Sequence, residues 1–304
     1  MRNSITNKVK EYAGKDESVF LITGDAGFGV LDDYQKSFPG RFLNLGVAEQ
    51  NMISFAAGLS LSGYKVFLYN IIPFLLYRCY EQVRNDICYQ RLPITLIGIG
   101  SGLTYAPGGM THYSVEDIAI ARTLPNIVIM SPSDPLEAVK CVEYAYDNKE
   151  QPTYIRIAKS GEPVINSNNI GKITKPIILK EGKSVAVLFH GSISTEVIKA
   201  VEGIKETPLI ISVPMLQPFD FTFLGENLKS VHTLITVEEH FIEGGLGSIL
   251  SEWIVKEERP YKLKKIGIKN EFIHAVKNTT GMRSYYKFSF DDIRKTIEEA
   301  FNDG

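Results

Sequence analysis

Residues 47–61, VAEQNMISFAAGLSL, are followed three positions later by KVFLY at 65–69. The first stretch spaces Ala48, Met52, Phe55 and Leu59 by three and four residues, which predicts an amphipathic helix. The second is a short apolar run bounded by turn residues, which predicts a buried strand. The same alternation extends in both directions. VFLIT (19–23), ITLIGI (94–99), NIVIM (126–130) and PTYIRI (152–157) read as strands, and 77–90 and 134–146 read as helices. Strands separated by helices need crossover connections, so an α/β fold with a mostly parallel sheet flanked by helices is expected.

A composition break follows. KSGEPVINSNNIGKITKPIILKEGKS (159–184) is rich in Asn, Gly, Lys and Pro without sustained periodicity, the mark of a linker. Alternation then resumes with strands at 184–190, 207–213 and 231–237 and helices near 194–205, 245–257 and 290–302. The boundaries expected are a first domain over 1–160, a linker over 161–184, and a smaller α/β domain over 185–304. No short-period tandem repeat is visible, which argues against a solenoid.

Composition narrows the function classes. The 304 residues carry 33 Lys and Arg against 35 Asp and Glu, a formal charge of −2. That balance has no electrostatic footprint for a phosphate backbone, so nucleic acid is not expected as a main partner. Cys79, Cys88 and Cys141 form no C-x-x-C pair and no disulfide framework, which suits a reducing compartment. The polar start MRNSITNKVKEYAGK lacks a signal-peptide core, and the apolar run 66–77 is broken by Asn70 and Pro73. A cytoplasmic protein with no membrane span is expected.

Three glycine clusters invite a nucleotide reading. GIGSG (98–102) follows a strand, but Leu103 stands where a dinucleotide fingerprint needs its third glycine. GDAGFG (24–29) precedes Asn51 at a tempting distance, yet Ala26 replaces a glycine and Asn51 lies in a helical pattern. A hard cation needs oxygen ligands on a wrapping loop, so no magnesium site is expected in this chain. GGLG (244–247) opens a helix, where glycine permits a tight turn.

RFLNLGVAEQNMISFAAGLSLSGYKVF (41–67) closely resembles the pyrimidine-binding domain of transketolases. The resemblance continues through Phe74, Arg78 and YEQVRNDICYQ (80–90), and through PGGMTHYSVEDIAIARTLPNIVIMSPSD (107–134). TVEEHFIEGGLGS (236–248) is similar to the family's C-terminal domain. Several motifs in the family's order cover roughly residues 5–302. The resemblance implies the C-terminal half of a split transketolase. A separate N-terminal-type polypeptide is then expected to bring the domain that grips the diphosphate and Mg2+ of thiamine diphosphate. It further implies a homodimer core within a two-plus-two heterotetramer, silent without its partner.

The family's chemistry assigns expected roles. Glu49 stands where a carboxyl hydrogen-bonds the aminopyrimidine nitrogen and promotes the imino form that deprotonates the thiazolium carbon. Without the resemblance it reads as a glutamate at the third helical position, capping its own helix. Phe74 corresponds to the ring stacked on the aminopyrimidine, with Tyr69, Tyr77 and Tyr80 as competitors and a core phenylalanine as the plain alternative. Arg78 and Asp25 are expected at the cofactor, although a loop aspartate also serves to cap a turn. His112 matches a histidine facing cofactor and substrate, where imidazole relays protons. His190, His232, His240 and His274 read as packing or capping residues.

Departures from the family bear on the substrate. Gly108 stands where transketolases of sugar-phosphate metabolism carry a donor-binding Asp, and a histidine expected near Gly100 is missing. Lys159 replaces the arginine that clamps the acceptor phosphate and lacks its planar fork. Ser101 and Thr104 are small, which widens the expected mouth, with Ser101 among the substrate-binding residues. Ordinary pentose phosphates are therefore expected to be poor substrates, with a modified or nucleotide-linked sugar as acceptor. Two rivals remain: a decarboxylating enzyme resembling a 2-oxoacid dehydrogenase beta subunit or deoxyxylulose-phosphate synthase, and a non-catalytic scaffold.

Overall fold

The computed structural model describes residues 1–159, 161–166 and 170–303. Its strands are β1 (Val19–Thr23), β2 (Phe42–Asn44), β3 (Lys65–Ile71), β4 (Thr95–Ile99), β5 (Val128–Met130) and β6 (Thr153–Ile157), then β7 (Ile177–Lys180), β8 (Ser184–Phe189), β9 (Leu209–Ser212), β10 (Met215–Gln217), β11 (Val231–Phe241) and β12 (Lys262–Ile268). They form a seven-stranded sheet ordered β10-β5-β6-β4-β3-β1-β2 and a five-stranded sheet ordered β12-β11-β8-β9-β7. Every pairing is parallel except those of β10 with β5 and β7 with β9. The interior strands β3, β4 and β6 are buried almost throughout, as continuous apolar strands covered on both faces must be.

Two elements cross the expected boundaries. Ile177–Lys180, inside the stretch read as linker, pairs with β9 and closes the second sheet. Its apolar residues were hidden by the surrounding lysines and glycine. Met215–Gln217, from the second half of the chain, pairs with β5 and becomes the edge of the first sheet. A three-residue strand carries no period to read.

The helix expected at 47–61 spans Glu49–Leu61, so Glu49 is its first residue rather than its third. Its buried stripe is Met52, Ile53, Ala56 and Ala57, whereas Phe55 is 40% exposed. Apolar residues on all sides made the stripe unreadable from spacing alone. The helix expected over 77–90 is instead a succession of π-helical turns, Pro73–Tyr77 and Val83–Cys88, around the short α-helical Tyr80–Gln82. Pro73 lacks an amide donor and Arg78 N bonds Pro73 O at 3.0 Å, which widens that first turn. The helix near 194–205 ends earlier, at Ala200. The final helix Phe290–Asn302 lies where expected and opens with a capping box of Ser289 and Asp292. No helix is long and apolar enough to cross a membrane among the described residues.

Candidate active site

The loops at the carboxyl ends of the parallel strands carry almost every residue singled out in the sequence. From β1 the chain proceeds to β2 on one side, and β3 lies on the other. The order reverses there, and the resulting crevice is where open α/β sheets take ligands. Thr23 and Tyr69 are opposite each other at its base, and Thr23 Oγ1 lies 2.9 Å from both Tyr69 O and Ala26 O.

Glu49 projects into this crevice from the start of its helix and is only 4% exposed. Asn44 Oδ1 fixes the approach by accepting from both Asp25 N and Gly46 N at 2.9 Å. Gly24 packs against Glu49, because a Cβ there would lie 3.4 Å from Glu49 Cγ and 2.7 Å from Asn70 Nδ2. Asn70 Nδ2 is buried without a hydrogen-bond partner. Asn70 escaped the sequence reading as a site residue, although an amide within the apolar run KVFLYN was a visible signal. Asp25 is exposed at the crevice rim with left-handed backbone (φ 56°).

From Glu49 a chain of contacts crosses the crevice. Arg78 Nη1 donates to Glu49 Oε2 at 2.8 Å, and the guanidinium lies 4.6 Å from the centre of the Phe74 ring. Phe74 meets His112 edge-on with centroids 5.5 Å apart, and His112 lies 5.8 Å from Tyr105. The Lys159 ammonium is 5.1 Å from the Tyr105 ring. Thus Glu49, Arg78, Phe74, His112 and Lys159, spread over 110 positions, lie along one path. His112 Nδ1 is 2.9 Å from Thr111 Oγ1, which leaves Nε2 for other partners. Tyr105 was missed, and it explains the absent histidine: a Cβ at Gly100 would collide with the Tyr105 ring.

Ser101 departs from expectation. It is fully buried, with its hydroxyl 3.4 Å from Ser192 Oγ of the second half, so it lines no mouth. Beneath it lies a buried ionic network. Glu239 accepts from Leu103 N at 3.3 Å, Ser192 Oγ at 2.6 Å and Arg283 Nη2 at 2.8 Å. Burial opposes the charge of Glu239, but Arg283 and Ser192 hold its carboxyl below the ordinary range. Arg156 donates to Asp117 Oδ2 at 2.7 Å, Ser114 O at 3.0 Å and Glu239 O at 2.9 Å. These residues clamp the two ends of the loop that carries His112. Among the described residues, no three His, Cys, Asp or Glu side chains group as a metal site.

With this geometry in place, likeness to known proteins is informative. Residues 1–162 match the transketolase pyrimidine-binding domain and 175–293 match the transketolase C-terminal domain. The chain belongs to the transketolase family. It is 34% identical to the second subunit of an apulose-4-phosphate transketolase from Actinobacillus succinogenes, over 90% of this chain and 89% of the relative. It is 30% identical to the subunit of the same name from Phocaeicola vulgatus, over 98% and 96%. Among solved structures it resembles a split gene transketolase described as an inactive beta4 tetramer, with TM-score 0.89, 28% identity, and coverage of 99% and 98%. This transketolase-family chain therefore corresponds to the second of two chains. Its crevice has what the pyrimidine half of thiamine diphosphate requires: a shielded carboxylate, a flat aromatic face and an unpartnered amide donor.

Proposed function

We propose that this chain is the pyrimidine-binding subunit of a two-chain transketolase, and that Glu49 is its central catalytic residue. The supporting observation is the burial of Glu49 at the β1/β3 reversal, within one crevice with Phe74 and His112. Thiamine diphosphate, when bound, supplies the nucleophilic carbon that carries a two-carbon ketol unit between sugars. Glu49 holds a hydrogen bond to the aminopyrimidine ring nitrogen, from a helix start that fixes its direction. Phe74 packs on the ring face, a contact worth about 0.5–1.5 kcal/mol beyond burial. His112 Nε2 moves a proton at the substrate hydroxyl, its ring set by Thr111 and braced by Phe74 and Tyr105. Asp25 lies at the rim, on the side of the thiazolium.

Lys159 gives the mouth a positive charge, and two relatives are named for a sugar 4-phosphate. The acceptor is accordingly a phosphorylated sugar, and xylulose and ribose phosphates are poor substrates because Gly108 supplies no carboxylate for donor hydroxyls. The diphosphate and Mg2+ belong to an N-terminal transketolase subunit, in a two-plus-two assembly around a homodimer of this chain. Co-purification with that subunit and a ketol-transfer assay test the reading. Glu49→Gln should lower turnover by about 10²–10⁴-fold while assembly persists. Unchanged turnover would make the chain a scaffold, and pyruvate decarboxylation in place of ketol transfer would move it to the decarboxylating relatives.

A further inference from the structure

The Arg78 side chain covers both surfaces assigned to the aminopyrimidine. Its guanidinium lies 4.6 Å from the Phe74 ring centre, and its Nη1 bonds Glu49 Oε2 at 2.8 Å. A guanidinium is flat, delocalised and edged with N–H donors, so it stacks on aromatic rings and pairs with carboxylates. An aminopyrimidine has the same shape and needs the same two partners. Two flat groups cannot share one ring face and one carboxylate.

The remaining bonds of Arg78 are to its backbone. Arg78 N donates to Pro73 O at 3.0 Å, and Arg78 O accepts from Gln50 Nε2 at 3.2 Å. Among the described residues, Glu49 and Phe74 are the only tethers of the side chain, which is 44% exposed. It can therefore swing into solvent while its main chain stays pinned. We propose that Arg78 is a displaceable plug: in the cofactor-free subunit it rests on Phe74 and Glu49, and it leaves when the aminopyrimidine of thiamine diphosphate enters. This inference rests on the assignment of Glu49 and Phe74 to that ring, and it reverses the expectation that Arg78 itself holds the cofactor. While the cofactor is away, the plug gives a shielded carboxylate the partner it would otherwise lack.

A plug taxes affinity in proportion to the time it is closed. If closed nine-tenths of the time, it weakens apparent binding about tenfold. Thiamine diphosphate with saturating Mg2+ is titrated into the assembled two-chain complex by calorimetry and stopped-flow fluorescence. Arg78→Ala should bind about tenfold tighter and associate faster. Millimolar guanidinium chloride should compete with the cofactor in that variant and not in the wild type. Arg78→Lys keeps the charge but loses the planar fork, and should also bind more tightly than wild type, which covers failure of the alanine variant to assemble. Equal or weaker binding in the variants overturns the plug alone. Absence of binding in the wild type and every variant overturns the pyrimidine-site reading, and the plug falls with it.

Discussion

Gly46 and Gly102 both have left-handed backbone, with φ of 66° and 60°, yet they should respond very differently to a side chain. Gly46 has open space where a Cβ would go, so Gly46→Ala meets only the left-handed penalty of about 1–2 kcal/mol. At Gly102 a Cβ would collide with the Glu239 side chain and lie 2.8 Å from Glu239 O. Gly102→Ala adds overpacking of about 1–3 kcal/mol to the same penalty. It also pushes the Leu103 amide away from Glu239. Urea unfolding should therefore show Gly102→Ala destabilised by about twice as much as Gly46→Ala, and equal losses would contradict the contact. Residue-level legibility divides along the same line. Glu49, Phe74, Arg78, His112 and Lys159 are legible because their surroundings carry family motifs. Glu239, Arg283 and Tyr105 are not, because their importance arises from contacts between segments about 40 to 140 positions apart. Ser101 misleads for that reason too: its small size says nothing about the second half of the chain covering it.

Among the elements, those with long uniform periodicity are readable, and those fixed by partners are not. Phe290–Asn302 repeats a buried face at Ile293, Ile297 and Ala300, and its limits follow from the sequence. The π-helical turns after Pro73 preserve apolar spacing close enough to α-helical that the pattern cannot separate them. The helix Pro135–Asp147 shows an electrostatic consequence that sequence cannot give. Asp134 Oδ1 caps it by accepting from Glu137 N at 2.8 Å, while Asp134 Oδ2 accepts from Ile165 N and Asn166 N. Glu137 is fully buried and accepts from Ser133 N at 2.6 Å and Asn166 Nδ2 at 2.8 Å. Burial pushes its carboxyl up from 4.5 to about 7, despite the opposing bond from Ser133. In the folded chain this acid keeps its proton up to about pH 7, whereas the unfolded chain releases it near 4.5. The folded state then binds the extra proton, so this group's contribution to stability falls as pH rises from 4.5 to 7 and is level above. Glu137→Gln carries no such proton. The wild-type minus variant difference in unfolding free energy should decline across that window, and a flat difference would show Glu137 ionised throughout.

At the scale of the molecule, the two sheets are interlocked more firmly than a linker between domains would suggest. Strand β10 lends the second half's backbone to the first sheet, with Met215 opposite Met130 and Gln217 opposite Ile129. Ser131 N donates to Pro214 O at 2.8 Å, and Gln217 Nε2 donates to Ile127 O at 3.1 Å. Arg156 lies in β6 of the first sheet and is fully buried, yet one of its donors goes to Glu239 O in β11 of the second. Unfolding either half alone would expose the β5 edge and leave Arg156 and Asp117 facing an open seam. Each of those buried charges is costly to uncover. The whole chain should therefore melt in a single calorimetric transition, with equal calorimetric and van't Hoff enthalpies. Arg156→Met breaks the Asp117 pair, leaves Tyr154 as the remaining side-chain donor on Asp117 Oδ2, and should cost about 3–5 kcal/mol. Because the seam is shared, the lower melting temperature should apply to the whole transition. A split into two transitions, with the second half unmoved, would show that the halves fold independently and that the site loop owes nothing to the second sheet.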